Sequence, residues 1–213
     1  MLSFSGKGEI DEHTGKLIVG ITALFLATFT NYFAEDVLQS ISDSYHESGW
    51  SRDIFVGSLF AISAFLLSFN GHSRPQMVAS KIAAFAAIGV AIFPCVCEVH
   101  EEIIPYVHAG SAAVVFLILA FFCYTFYIRA KDKGTSRAKF RAYVYAACGI
   151  AIVASVVVIA LDALLDGAIR ATIPRLVFYG ENVGLVAFGI AWLSASRILP
   201  GFTTKDDRLP LFK

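Results

Sequence analysis

The sequence predicts an all-α fold, a polytopic bundle of six transmembrane helices with N-in/C-in topology. Three observations predict it. Of the 213 residues, 57% are hydrophobic and only 16% are charged, against roughly 45–50% and about 25% in soluble chains. The mean hydropathy is +0.68, and six separate stretches approach the ~20 apolar residues that a membrane helix needs. The basic residues also divide unequally between alternate loops, as a fixed membrane orientation requires. So apolar a chain is excluded from the cytosolic enzymes, disordered linkers and disulfide-rich secreted domains. Its 17 basic and 17 acidic residues cancel, so no global basic field points to nucleic acid.

The spans follow in order. The first, 17–34, is too long for a signal-peptide core, follows Glu9, Asp11 and Glu12, and lacks a small-residue cleavage site after it. The second, 54–69, is short and borrows Gly57 and its flanks. The third covers 77–96. The fourth, 103–128, is long enough to tilt or to run past the bilayer. The fifth and sixth cover 142–161 and 176–195. Residues 1–16 and 197–213 are then a cytoplasmic segment and tail on either side of a transmembrane domain at 17–196.

Orientation comes from the loops. Of the 17 Lys and Arg residues, 14 fall on the side of the termini, leaving Arg52, Arg170 and Arg175 on the other. That split makes the terminal side cytoplasmic. The opposite, outer side holds 11 of the 17 acids and three of the five histidines, His46, His100 and His108. The chain is expected to be an integral membrane protein, in a bacterial inner membrane in preference to a eukaryotic endomembrane. The basic run 129–141 reads as a topology anchor, with a phosphoinositide site as the alternative. Small-xxx-small steps at Gly180/Gly184, Ala83/Ala87 and Ala147/Ala151 supply surfaces for close helix packing.

An ionisable residue inside a span is a functional-site hypothesis by default. Glu181 lies five residues into the sixth span, roughly 8 Å deep at 1.5 Å per residue. His108 lies equally far into the fourth, and Asp53 marks the outer start of the second. Asp43 and His46 hang above this layer on the loop between the first two spans, and Glu98 and His100 on the link between the third and fourth. Such a layer could bind Zn²⁺ through His46, His100, His108 and Glu181. Alternatively, Glu181, His108 and Asp53 could act as acid–base catalysts. It could also be packing only, with Glu181 paired to Arg175 or His108, or an ion or proton pathway. Cys123 and Cys148 read as buried apolar residues. Cys95 and Cys97 form a C-x-C pair that reads as unremarkable, with a place among metal ligands as the alternative, while a disulfide across one residue is strained geometry.

The motifs resemble those of the six-span DRAM proteins (damage-regulated autophagy modulators), their relatives in GPI-lipid remodelling, and bacterial six-span families. The shared features run from residue 17 to 197. They are Ile41-Ser42-Asp43 after the first span, Asp53 and Phe55 opening the second, His108, Ala112 and Phe116 in the fourth, and Glu181 and Phe188 in the last. Asn182 stands where the family has an aromatic residue, and the fourth-span glycine, Gly110, is one place early. A fainter similarity is to the CREST hydrolases, through Ser42 and His46. Their three-histidine zinc site does not carry over, because the last span contains no histidine.

The expectation is a lipid-associated protein with a polar pocket at the outer leaflet, floored by His108, Glu181 and Asp53, with Asp43 and His46 in the covering loop and Ser42 and Asp43 as loop contacts to lipid. The resemblance implies lipid handling or remodelling and fixes no reaction; metal-dependent hydrolysis of a lipid is the enzymatic version of the reading. The competing classes are a non-enzymatic accessory or scaffolding subunit, with partner membrane proteins or a homo-oligomer, and a channel or transporter.

Overall fold

The computed structural model describes residues 12–95, 104 and 106–197. Among the described residues there are six long helices and no strand: α1 (Glu12–Phe33), α2 (Trp50–Ser68), α3 (Arg74–Ile92), α4 (Val107–Asp132), α5 (Ser136–Leu164) and α6 (Leu176–Ser196). Each is long and apolar enough to cross a membrane. Every helix packs on its neighbour in sequence, and α6 closes back on α1, so the bundle is a ring. His13, His72, Lys133 and Arg197 line one cavity. The start of α1, the α2–α3 turn, the α4–α5 turn and the finish of α6 therefore share one end, the basic end. The 34–49 loop, the α3–α4 connection and the α5–α6 turn share the opposite, acidic end.

Local chemistry sets where the helices stop. α3 ends at Ile92, four residues before the predicted boundary, because Pro94 forces Phe93 into an extended conformation (φ −94°, ψ 120°). α2 starts at Trp50, earlier than predicted, which puts Asp53 in its first turn, where a carboxylate complements the helix dipole. α1 starts at Glu12 and so carries Lys16 into the bundle. The longest helix is α5, at 29 residues against 26 for α4. Its first turn is capped by Thr135, whose side chain accepts the Ala138 N–H at 3.3 Å.

The core is aromatic. Trp192 is fully buried, with the rings of Phe65, Phe69, Phe122, Phe126 and Phe188 at 5.2–5.9 Å between centroids. Edge and tilted contacts of this kind add to the burial of large apolar area. A second cluster at the acidic end joins Leu26, Ala27, Phe55 and Phe178 to Leu38 and Ile41 of the loop.

Two of the predicted small-residue steps lie at helix contacts. A Cβ on Gly184 would meet the Phe116 ring at 2.5 Å, and one on Gly180 would meet Ile159 at 2.8 Å. Ala83 and Ala87 are fully buried. The third step does not pack as predicted, since Ala147 is exposed and the neighbouring Cys148 and Ile152 face inward. A further close approach lies between α6 and α1. A Cβ on Gly189 would lie 2.8 Å from the Gly20 carbonyl oxygen, where α6 crosses α1.

Candidate functional site

The acidic end is closed by the 34–49 loop, which folds around its own carboxylate. Asp43 Oδ2 accepts the N–H groups of Gln39 and Ser40 at 2.6 and 2.7 Å, and Oδ1 accepts the Ser40 hydroxyl at 2.7 Å. Ser44 Oγ donates to the Ile41 carbonyl at 2.5 Å, within a 3₁₀ turn at Ser42–Tyr45. Short polar side chains serving backbone groups in this way replace the hydrogen bonds that a regular element would supply. The turn drives Leu38 and Ile41, each 2% exposed, down into the bundle.

The start of α6 grips this loop. Arg175 Nε donates to the Leu38 carbonyl at 2.7 Å and Nη2 to Asn31 Oδ1 at 2.5 Å, with the guanidinium 4.1 Å from the centre of the Phe178 ring. The Phe178 N–H donates to the Gln39 carbonyl at 3.0 Å. Glu181 Oε2 accepts the Ile41 N–H at 2.6 Å. Phe178 and Glu181 stand three apart on α6, and Arg175 is the residue just before the helix. Together they satisfy a run of loop backbone that would otherwise be buried without partners.

The histidines serve the end of α3. Helix termini leave carbonyls without intrahelical donors. Here Tyr45 Oη donates to the Ile92 carbonyl at 3.2 Å, His108 Nδ1 lies 2.8 Å from the Phe93 carbonyl, and His46 Nε2 lies 3.0 Å from the Cys95 carbonyl. A carbonyl only accepts, so each ring nitrogen here carries its proton.

The sequence-predicted residues are thus partly gathered. Asp43 and Glu181 come close enough to interact electrostatically, with Ser42 buried beside them. Asp53 is exposed on the first turn of α2. Glu181 binds a loop amide in place of Arg175, because Arg175 is spent on Leu38 and Asn31. Glu98 and His100 lie outside the described residues, and among the described residues no three His, Cys, Asp or Glu side chains form a group that could hold a metal ion. Cys95 is disulfide-bonded, so it is neither an unremarkable free thiol nor a metal ligand; Cys97 lies outside the described residues.

No family model, curated protein or solved structure matches this chain.

Two features escaped sequence reasoning. Asp162 is 1% exposed and holds the α5–α6 turn, accepting the Ile169 and Arg170 N–H groups at 3.0 and 2.9 Å while pairing with Arg170 Nε at 2.9 Å. An acid followed seven and eight residues later by its donors carries little signal in a sequence. The second is an apolar groove of about 550 Å³ between α4 and α5, walled by Tyr124, Tyr127, Tyr145, Ile150 and Val153 and opened by small residues such as Gly149 and Ala154.

Proposed function

We propose that this chain is a lipid-binding membrane protein whose α4–α5 groove takes an acyl chain, with the basic end in the cytoplasm. The groove is the observation that carries the reading. Its volume of about 550 Å³ falls within the range of roughly 300–1,000 Å³ for small-molecule sites. Its apolar side chains and flanking tyrosines suit a hydrocarbon tail with a polar neighbour. The DRAM-like motifs support a lipid role in the same direction. The distribution of Lys and Arg supports the orientation, as does a disulfide at the acidic end, since disulfides persist outside the reducing cytosol.

The acidic-end layer is on this reading a latch for the loop. Glu181 and the two histidines are engaged with backbone groups, which supports a structural role over zinc-dependent hydrolysis. Metal content of the purified protein, compared with an Asp53/His108/Glu181 triple-alanine variant, tests the hydrolytic alternative directly.

The lipid reading is tested by purifying the protein in mild detergent and identifying retained lipid by native mass spectrometry. Ala154→Phe fills the groove from an exposed wall position and is expected to remove the retained lipid. A parent protein that carries no lipid, or a variant that carries as much as the parent, would end the reading.

A further inference from the structure

We propose that the α5–α6 turn is a lipid-surface contact, seated in the headgroup layer of the leaflet at the acidic end. Leu164, Leu165 and Ile173 make the contact, and they are 79%, 55% and 46% exposed. Large apolar side chains left this open beside one another mark an interaction surface. The cluster is continuous with the membrane-facing side of α5. Ile150, Val153, Val157, Leu161 and Leu164 are all exposed, and steps of three and four residues place them on one stripe of the helix. The leucines at the end of that stripe extend the contact with lipid that its middle already makes.

Helix length sets the depth. Between Ala142 and Leu165 the one charged residue is Asp162, and at 1.5 Å per residue this stretch is roughly 36 Å long. The hydrocarbon core of a bilayer is ~30 Å thick. The excess carries Leu164 and Leu165 to the level of the headgroups. Asp166 and Arg170 of the turn are exposed, which suits that level and not the hydrocarbon beneath it.

The turn is also built to leave water. The N–H groups of residues 167 to 173 are each hydrogen-bonded within the chain. Those of Ile169 and Arg170 donate to Asp162 Oδ1, and the others donate to carbonyls of the turn and of the end of α5. Backbone satisfied in this way loses little on entering a lipid phase. Asp162 is in turn paired with Arg170 Nε at 2.9 Å, so those two charges compensate. The other side of the acidic end differs. There the 34–49 loop exposes Glu35 and Asp36, and the start of α2 exposes Asp53. One side of this end is charged and the side at α5 is apolar, and a lipid surface fits the second. This inference does not depend on the acyl-chain groove.

The test uses the full-length protein in phosphatidylcholine nanodiscs, with tryptophan emission as the readout. Trp50→Phe removes the exposed native indole, while Trp192 stays shielded in the core. In that background Leu164→Trp and, separately, Ile173→Trp put a reporter at two exposed positions of the turn. Val37→Trp, at an exposed position next to Asp36, reports on the charged side. Emission is compared between discs of plain phosphatidylcholine and discs of phosphatidylcholine brominated near its ester groups, and then with acrylamide in the aqueous phase. Both turn reporters are expected to lose most of their emission to the brominated lipid and little to acrylamide, and the Val37→Trp reporter the reverse. Turn reporters that acrylamide quenches more than the brominated lipid does would place the turn in water and overturn the proposal. Turn reporters that neither quencher reaches would overturn it as well, and would point to a second copy or another protein as the cover.

Discussion

Glu181 Oε2 accepts the Ile41 N–H at 2.6 Å across 140 positions of the chain. A carboxylate inside a span invites a catalytic interpretation, yet here it accepts from a backbone amide. Removing it by Glu181→Ala strands the N–H of Ile41, and we expect a loss of about 1–3 kcal/mol in detergent unfolding. Glu181→Gln retains an acceptor and is expected to lose about half as much. Hydrogen exchange at Ile41 should accelerate in both. Unchanged exchange in the alanine variant would show that something else holds the loop.

Asp43 and Asp53 separate cleanly. Asp43 accepts three hydrogen bonds from Gln39 and Ser40, so Asp43→Ala is expected to destabilise the protein by about 1–3 kcal/mol. Asp53 is exposed, and Asp53→Ala should leave the melting temperature close to the parent's. Equal effects of the two substitutions would contradict the division of roles drawn above.

The crossing of α1 and α6 gives a prediction about glycine. At Gly189 an added methyl meets a backbone carbonyl, that of Gly20, at 2.8 Å, whereas at Gly184 it meets the ring of Phe116. A ring can turn aside and a carbonyl in a helix cannot. Gly189→Ala is therefore expected to cost about 1–3 kcal/mol, and Gly184→Ala less. Unfolding measured side by side in one detergent decides the order.

Trp192 offers a test of packing against polarity. Its Nε1 is buried without a hydrogen-bond partner, so Trp192→Phe removes an unsatisfied donor along with volume. The two effects oppose each other, and the net loss should stay below about 1.5 kcal/mol. Trp192→Ala opens the whole aromatic core and should cost about 3–5 kcal/mol.

The spans were readable because lipid allows few alternatives to a run of ~20 apolar residues. Their ends were less so. Pro94 stops α3 before its hydrophobicity ends, and Thr135 starts α5 inside a charged segment, so local backbone chemistry overrode composition. At the candidate site, depth in the spans singled out Glu181 and His108 as candidate functional residues, but their partners stayed hidden. Those partners are backbone groups at Ile41 and Phe93, and backbone groups carry no sequence signal. Helix rotation was also illegible. In a span that is apolar all round, nothing in the sequence distinguishes Ala147, which faces outward, from Cys148, which faces in.

The ring order of the helices has a consequence for how the protein is made. Among the described residues the extensive helix interfaces join consecutive helices, except for the α1–α6 seam, and α4 also touches α6. During synthesis, α1 to α5 can assemble as an open arc while α6 is still in the ribosome. The residues that fasten the acidic-end loop, Arg175, Phe178 and Glu181, arrive with the same last helix whose Gly189 meets Gly20. Sealing the arc and covering its mouth are therefore one late event, and contacts so distant in sequence form slowly. A nascent chain halted before α6 would leave the inner faces of α1 and α5 open to lipid and to neighbouring proteins, the state in which a membrane quality-control protease would meet it.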